Sequence, residues 1–205
     1  QTSTASVAAN ASLDAGYRAS QFPAMPMIDA SSVGIDGNAT SALARGNAVD
    51  NQLVVRGNVP SPVTVTSEVS RFEIWADAGA PLLNAQTNYG SVTASASNSL
   101  VGAAFNGPLT GMNQASMTIG ANTVSAAAYG NTATNAASLS SFGQPGSVAI
   151  VSSQTNYGPV TAIATGNQLI LPLGSMTGSS FALTGNQVSA VAVGNQATNS
   201  ITSLR

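Results

Sequence analysis

The sequence predicts an all-β chain, a β-solenoid or stacked β-arch repeat with turns at Gly-Asn corners. Three observations predict it. First, the phrase Val-Ser/Thr-Ala-x-Ala-x-Gly-Asn recurs, starting at Val92, Val124, Val160 and Val188, with a relative at Thr40; alternate copies match best, at 64 to 68 residues. Periods of tens of residues mark stacked architectures. Second, Val, Ala and Ala of each unit fall at i, i+2 and i+4, one face of a strand. Third, residues 78–204 carry no charge at all, whereas about a quarter of an ordinary soluble chain is charged. A surface that lacks charge is either wetted by Ser, Thr, Asn and Gln or covered by another copy, and cover is the expectation here.

Residues 1–30 contain Pro23 and Pro26 among the apolar Phe22, Met25, Met27 and Ile28. They read as an extended N-terminal arm, docked on a neighbouring subunit as an added strand or laid over the end of its own solenoid. Residues 31–83 hold the first repeat unit, Gly37-Asn38 through Gly46-Asn47, followed by a charged irregular cap or insertion that carries the sole tryptophan, Trp75. The run Val63-Thr64-Val65-Thr66 could be a degenerate copy of the unit. Residues 84–205 form the uncharged β-repeat array.

Within that array Val92, Val124, Val160 and Val188, with Ala126, Ala162 and Ala190, are the core or subunit-packing positions. Alanine on that face lets another layer approach closely. The position between the alanines holds Leu43, Ser95, Ala127, Ile163 and Val191, so both faces of the strand are expected to be buried. Helix is the competing structure for an Ala-rich chain, but alternating β-branched residues and Gly-Asn every eight or nine positions oppose it.

Glycine and asparagine both tolerate the left-handed backbone, which makes Gly-Asn a corner. Asn38, Asn47, Asn131, Asn167 and Asn195 keep their phase with the strand, and Asn98, in Ser97-Asn98, stands for the Gly-Asn asparagine one residue early. Besides turning, their amides could bond to the equivalent residue one rung away, as a ladder. Tyr89 and Tyr157 occupy matching places in Gln-Thr-Asn-Tyr-Gly phrases; they are paired residues of one corner, or a platform for stacking on sugar rings.

Composition excludes much chemistry. Among 205 residues there is no Cys, His or Lys, five Arg, and seven Asp plus Glu. That leaves no Cys/His zinc site, no phosphate-binding lysine and no histidine base. Eleven of the twelve charged residues lie in the first 77 positions, so no basic surface for nucleic acid is expected. Glu68 and Glu73 are five apart and on one strand would face opposite sides, so they read as solvated edge charges and not as the clustered carboxylates of a glycosidase. We expect no enzyme, no cofactor and no metal. The longest apolar run is too short to cross a bilayer as a helix. A first residue of Gln1 reads as a mature exported chain or a trimmed one.

The phrases Gly-Asn-x-Ala-Thr-Asn at 130–135 and 194–199 resemble repeats of secreted bacterial surface-fibre proteins. Composition from about residue 31 onward is similar to the holdfast-anchor proteins of stalked alphaproteobacteria. It is also similar to the curlin-type functional amyloids, although the units here are longer and Gln is not periodic. Residues 188–198 resemble head repeats of trimeric autotransporter adhesins. These resemblances imply a structural subunit on the bacterial cell surface, outside the outer membrane. It would polymerise with itself through strand stacking, with other anchor subunits and an adhesive polysaccharide as possible partners. The rival expectation is a monomeric solenoid that binds carbohydrate or ice.

Overall fold

A computed structural model of the chain describes residues 1–18, 27–56, 63–69, 72–104, 111–140, 147–166 and 175–204. Every regular element among them is a strand. The chain winds three times. The first turn is β1 (Thr2–Ser3), β2 (Val7–Arg18), β3 (Met27–Asp29), β4 (Ser32–Asp36) and β5 (Ala39–Arg56). A hairpin of β6 (Val63–Val69) and β7 (Phe72–Ala78) follows. The second turn is β8 (Ala80–Asn88), β9 (Val92–Ala104), β10 (Gly111–Asn113), β11 (Ser116–Gly120) and β12 (Thr123–Ser140). The third is β13 (Val148–Asn156), β14 (Val160–Thr165), β15 (Ser175–Thr177), β16 (Ser180–Thr184) and β17 (Gln187–Leu204).

Equivalent strands of successive turns pair in parallel, giving five three-stranded ladders with the second turn in the middle of each. The array is therefore a three-rung β-solenoid. Its register preserves the sequence repeat: Val188 lies opposite Val124, which lies opposite Thr40, and Val160 lies opposite Val92, which lies opposite Val7. The hairpin β6–β7 is antiparallel and belongs to none of the ladders. Residues 63–66, read from sequence as a possible repeat copy, lie in it, and Glu68 and Glu73, expected on opposite sides of one strand, are instead register partners across its two strands.

Residues 1–30 were expected as an arm on a neighbouring subunit or over the end of the chain's own solenoid; of these, 19–26 lie outside the described residues, and 1–18 are built into the solenoid itself. They are the first half-turn of the solenoid, with Thr2 opposite Thr87 and β2 running along β9. The cause is visible in Val7, Ala9 and Ala11, which repeat the spacing of Val92, Ala94 and Ala96 and pack on the same core.

That core lies between two facing sheets. Ala42, Ala44, Val124, Ala126 and Ala128 from one meet Val92, Ala94 and Ala96 from the other. Short side chains on both sheets let the layers approach and interdigitate closely. The sheets are offset by half a rung: β5 packs against both β2 and β9, and β12 against both β9 and β14. A second small cluster, Ile35 with Ile119 and Phe181, fills the turn formed by β4, β11 and β16.

The outward face departs from expectation. Leu43, Ile163 and Val191, which were expected to be buried on the reverse side of the strand, are about half exposed. One sheet covers only the inner face, so alternate residues point to solvent.

Candidate functional site

The Gly-Asn phrases form two different kinds of bend. At the first, Gly37, Ala121 and Gly185 hold positive φ of 72°, 52° and 64°, and Asn38, Asn122 and Asn186 follow them. At the second, Gly46-Asn47, Gly130-Asn131 and Gly194-Asn195, the strand continues without a positive φ. Instead the alternation slips by one. In β12 the buried positions are 124, 126 and 128, then 131, 133 and 135, with Gly130 also buried. Two consecutive inward residues bend the strand around the core. Glycine is needed there for space: a β-carbon on Gly46 would lie 2.6 Å from the carbonyl oxygen of Gly130, and one on Gly130 would press on that of Gly194.

At both bends the asparagines stack as ladders. Asn47 Nδ2 donates to Asn131 Oδ1 at 2.8 Å, and Asn131 Nδ2 donates to Asn195 Oδ1 at 2.7 Å. Asn38 Nδ2 donates to Asn122 Oδ1 at 2.9 Å, and Asn122 Nδ2 to Asn186 Oδ1 at 2.8 Å. Each amide also reaches across the turn, Asn47 to Thr87 O and Asn131 to Thr155 O. These bonds satisfy amides that are otherwise shut off from water, since Asn47, Asn122 and Asn131 are buried. Asn98 lies on β9 opposite Leu13, and Asn167 lies outside the described residues.

Three further ladders were not singled out from sequence. Asn51, Asn135 and Asn199 are joined at 2.8 Å for each step. Asn88 donates to Asn156 at 2.8 Å, and Gln154 to Gln86 at 2.7 Å. All recur at the ladder offsets, so the spacing of polar residues, taken apart from the Val-Ala phrase, could have found them.

Tyr89 and Tyr157 stack with ring centroids 5.0 Å apart and planes 9° from parallel. Both remain about half exposed, at the corners between β8 and β9 and between β13 and β14.

The packing positions divide by rung. Val92, Val124 and Ala126 are buried, and Val160 and Ala162 pack partly buried against them. Val188 and Ala190 are exposed although they lie opposite Val124 and Ala126. The offset of the sheets explains this, because β17 packs across the core on β14 and β13 only. The third rung consequently presents core residues to solvent. Val188 is 50% exposed against 1% for Val124, Leu183 54% against 1% for Ile119, and Met176 43% against 2% for Met112. The apolar edge so formed is the most distinctive surface among the described residues.

A shallow groove of about 240 Å³ crosses the rungs beside Arg45, Asp50, Thr132 and Gln196. No helix among the described residues is long and apolar enough to cross a membrane. Compared with known proteins, the chain matches no family model, no curated protein and no solved structure.

Proposed function

We propose that this chain is a structural subunit of an extracellular, self-assembling fibre or cell-surface anchor, working through strand stacking and head-to-tail association. The observation that carries the reading is the third-rung end, where Val188, Leu183, Met176 and Ile201 stand half exposed at positions that are core one rung below. Core-type apolar residues left exposed together at one end mark an association site, and an open row of strand edges is a template for pairing. The resemblance to bacterial surface-fibre and holdfast-anchor proteins supports a place on the cell surface, with a part in attachment. Cryo-electron microscopy of the purified chain at neutral pH tests it. Filaments with a fixed axial rise are expected; discrete monomers at every concentration would refute the reading.

A second reading, a carbohydrate-binding solenoid, is favoured by the exposed Tyr89–Tyr157 stack. The outer ring of such a pair offers an apolar face for a sugar. Glycan-array binding that Tyr157→Ala abolishes, by a chain that remains monomeric, would select this reading over the first.

A further inference from the structure

Resting on the subunit reading, we infer that the third rung receives the first rung of a second copy in continuous register. The second copy's β1 and β2 continue the ladders of β13 and β14, and its β5 continues that of β17. The polypeptide already shows this joint internally. Gln86-Thr87 lies between Gln1-Thr2 on one side and Gln154-Thr155 on the other, so Gln1-Thr2 of the second copy is the same phrase placed next to Gln154-Thr155. Its Val7 falls opposite Val160 and across from Val188, covering the exposed core position. Asn195 then continues the pattern of Asn47 and Asn131: its amide donates to Asn47 Oδ1 of the second copy's ladder or to the carbonyl of the second copy's Thr2.

Charge does not oppose this register. Asp36, Arg45 and Asp50 of the second copy meet Thr184, Val193 and Thr198, positions fixed by the ladders through Gly120, Tyr129 and Thr134. Among the described residues the third rung carries no charge, so no like charges meet there. The joint is also heterologous, so it repeats without closing and produces a filament.

One contact opposes it. A β-carbon on Gly158 would collide with the carbonyl of Gly90, and one on Gly90 with the carbonyl of Ala5. By the same geometry the methyl of Ala5 in the second copy meets the carbonyl of Gly158. The joint between copies is therefore looser at this corner than the joint between rungs, and Ala5→Gly tightens it. At the other bend the relation reverses. Gly194 has only Asn156 Nδ2 near its missing β-carbon, at 3.9 Å, but it occupies the place that in Gly46 and Gly130 faces the next carbonyl. Gly194→Ala should leave the fold unchanged and obstruct the joint.

The test is a double variant, S41C/S189C, in a chain that has no cysteine of its own. Ser41 and Ser189 flank Ser125 in one ladder and both are exposed. Two strand spacings, roughly 10 Å, separate them within one chain, beyond the reach of a disulfide. In the inferred joint they are direct neighbours, about 4.8 Å apart. Oxidation should give a covalent series of dimers, trimers and longer species from the double variant and from neither single variant. Dimers from S189C alone would establish face-to-face pairing and overturn the register. Filaments without cross-links would overturn the register while leaving the subunit reading standing. Wild-type chain that forms no filaments would remove both. G194A should raise the concentration needed for assembly about tenfold or more, equivalent to roughly 1.4 kcal/mol, with unchanged thermal melting. A5G should lower that concentration. Unchanged assembly by G194A would overturn the inference.

Discussion

Asn131 donates one amide hydrogen to Asn195 Oδ1 at 2.7 Å and makes a second bond to Thr155 O at 2.8 Å, while its own oxygen accepts from Asn47. A single buried side chain thus ties three rungs together and joins the ladder of β12 to that of β13. Truncating it orphans partners on each side. Asn131→Ala should cost roughly 2–4 kcal/mol, from unpaired buried polar groups and the space left behind. Asn195→Ala, at an exposed end of the same ladder, should cost less than about 1 kcal/mol. Denaturant titration of the two variants compares them directly; equal losses would mean that the ladder contributes little.

Thr40 offers a gain. It holds the place of Val124 and Val188 in its ladder, and its hydroxyl is buried without a partner. Valine has nearly the same shape. Thr40→Val should stabilise the chain by about 1 kcal/mol, a rise of roughly 2–4 °C in Tm for a domain of this size. A fall in Tm would show that the hydroxyl is satisfied in solution.

Ser3 interrupts another ladder. Asn88 and Asn156 are bonded, yet Asn88 Oδ1 is buried and has no donor, and Ser3 lies opposite Asn88. Ser3→Asn should extend the ladder by one step and raise stability by about 1 kcal/mol. Calorimetry decides it: no increase in Tm would mean that the first rung cannot hold an amide in that orientation.

Val124 and Val188 separate folding from assembly. The two lie opposite one another, but Val124 is 1% exposed and Val188 50%. Val124→Asp buries a charge among alanines, so the chain should fail to fold. Val188→Asp should give a soluble, β-rich chain by circular dichroism that forms no filaments by electron microscopy. Filaments of normal length from Val188→Asp would exclude the third-rung face from the joint.

The strand class and the repeat were legible because Val-x-Ala-x-Ala records a face directly, with period two. The N-terminal copy was harder to see. Val7-Ala8-Ala9-Asn10-Ala11 has the spacing but no Gly-Asn after it, and the prolines at 23 and 26 draw attention to an irregular segment. The 84–85-residue offset of the first rung also hides it, since the β6–β7 hairpin lengthens that turn alone. The second kind of bend was not legible either. Gly130 was expected to turn by backbone freedom, whereas it is needed because another rung's carbonyl stands where its β-carbon would be. Such a contact is set by stacking distance, and local sequence does not encode it. Exposure of Val188 was equally hidden, because identical phrases become core or surface according to which rung they occupy.

The half-rung offset between the two sheets makes each end of the solenoid a stair and not a flat plate. At one end β17 projects beyond β14, and at the other β2 projects beyond β5. Two stairs mesh at one rotation about the long axis and strike tread against tread at any other. Whatever seats on the third rung is thereby keyed in angle as well as in height, so twisting the stack would have to lift a copy clear before it could turn.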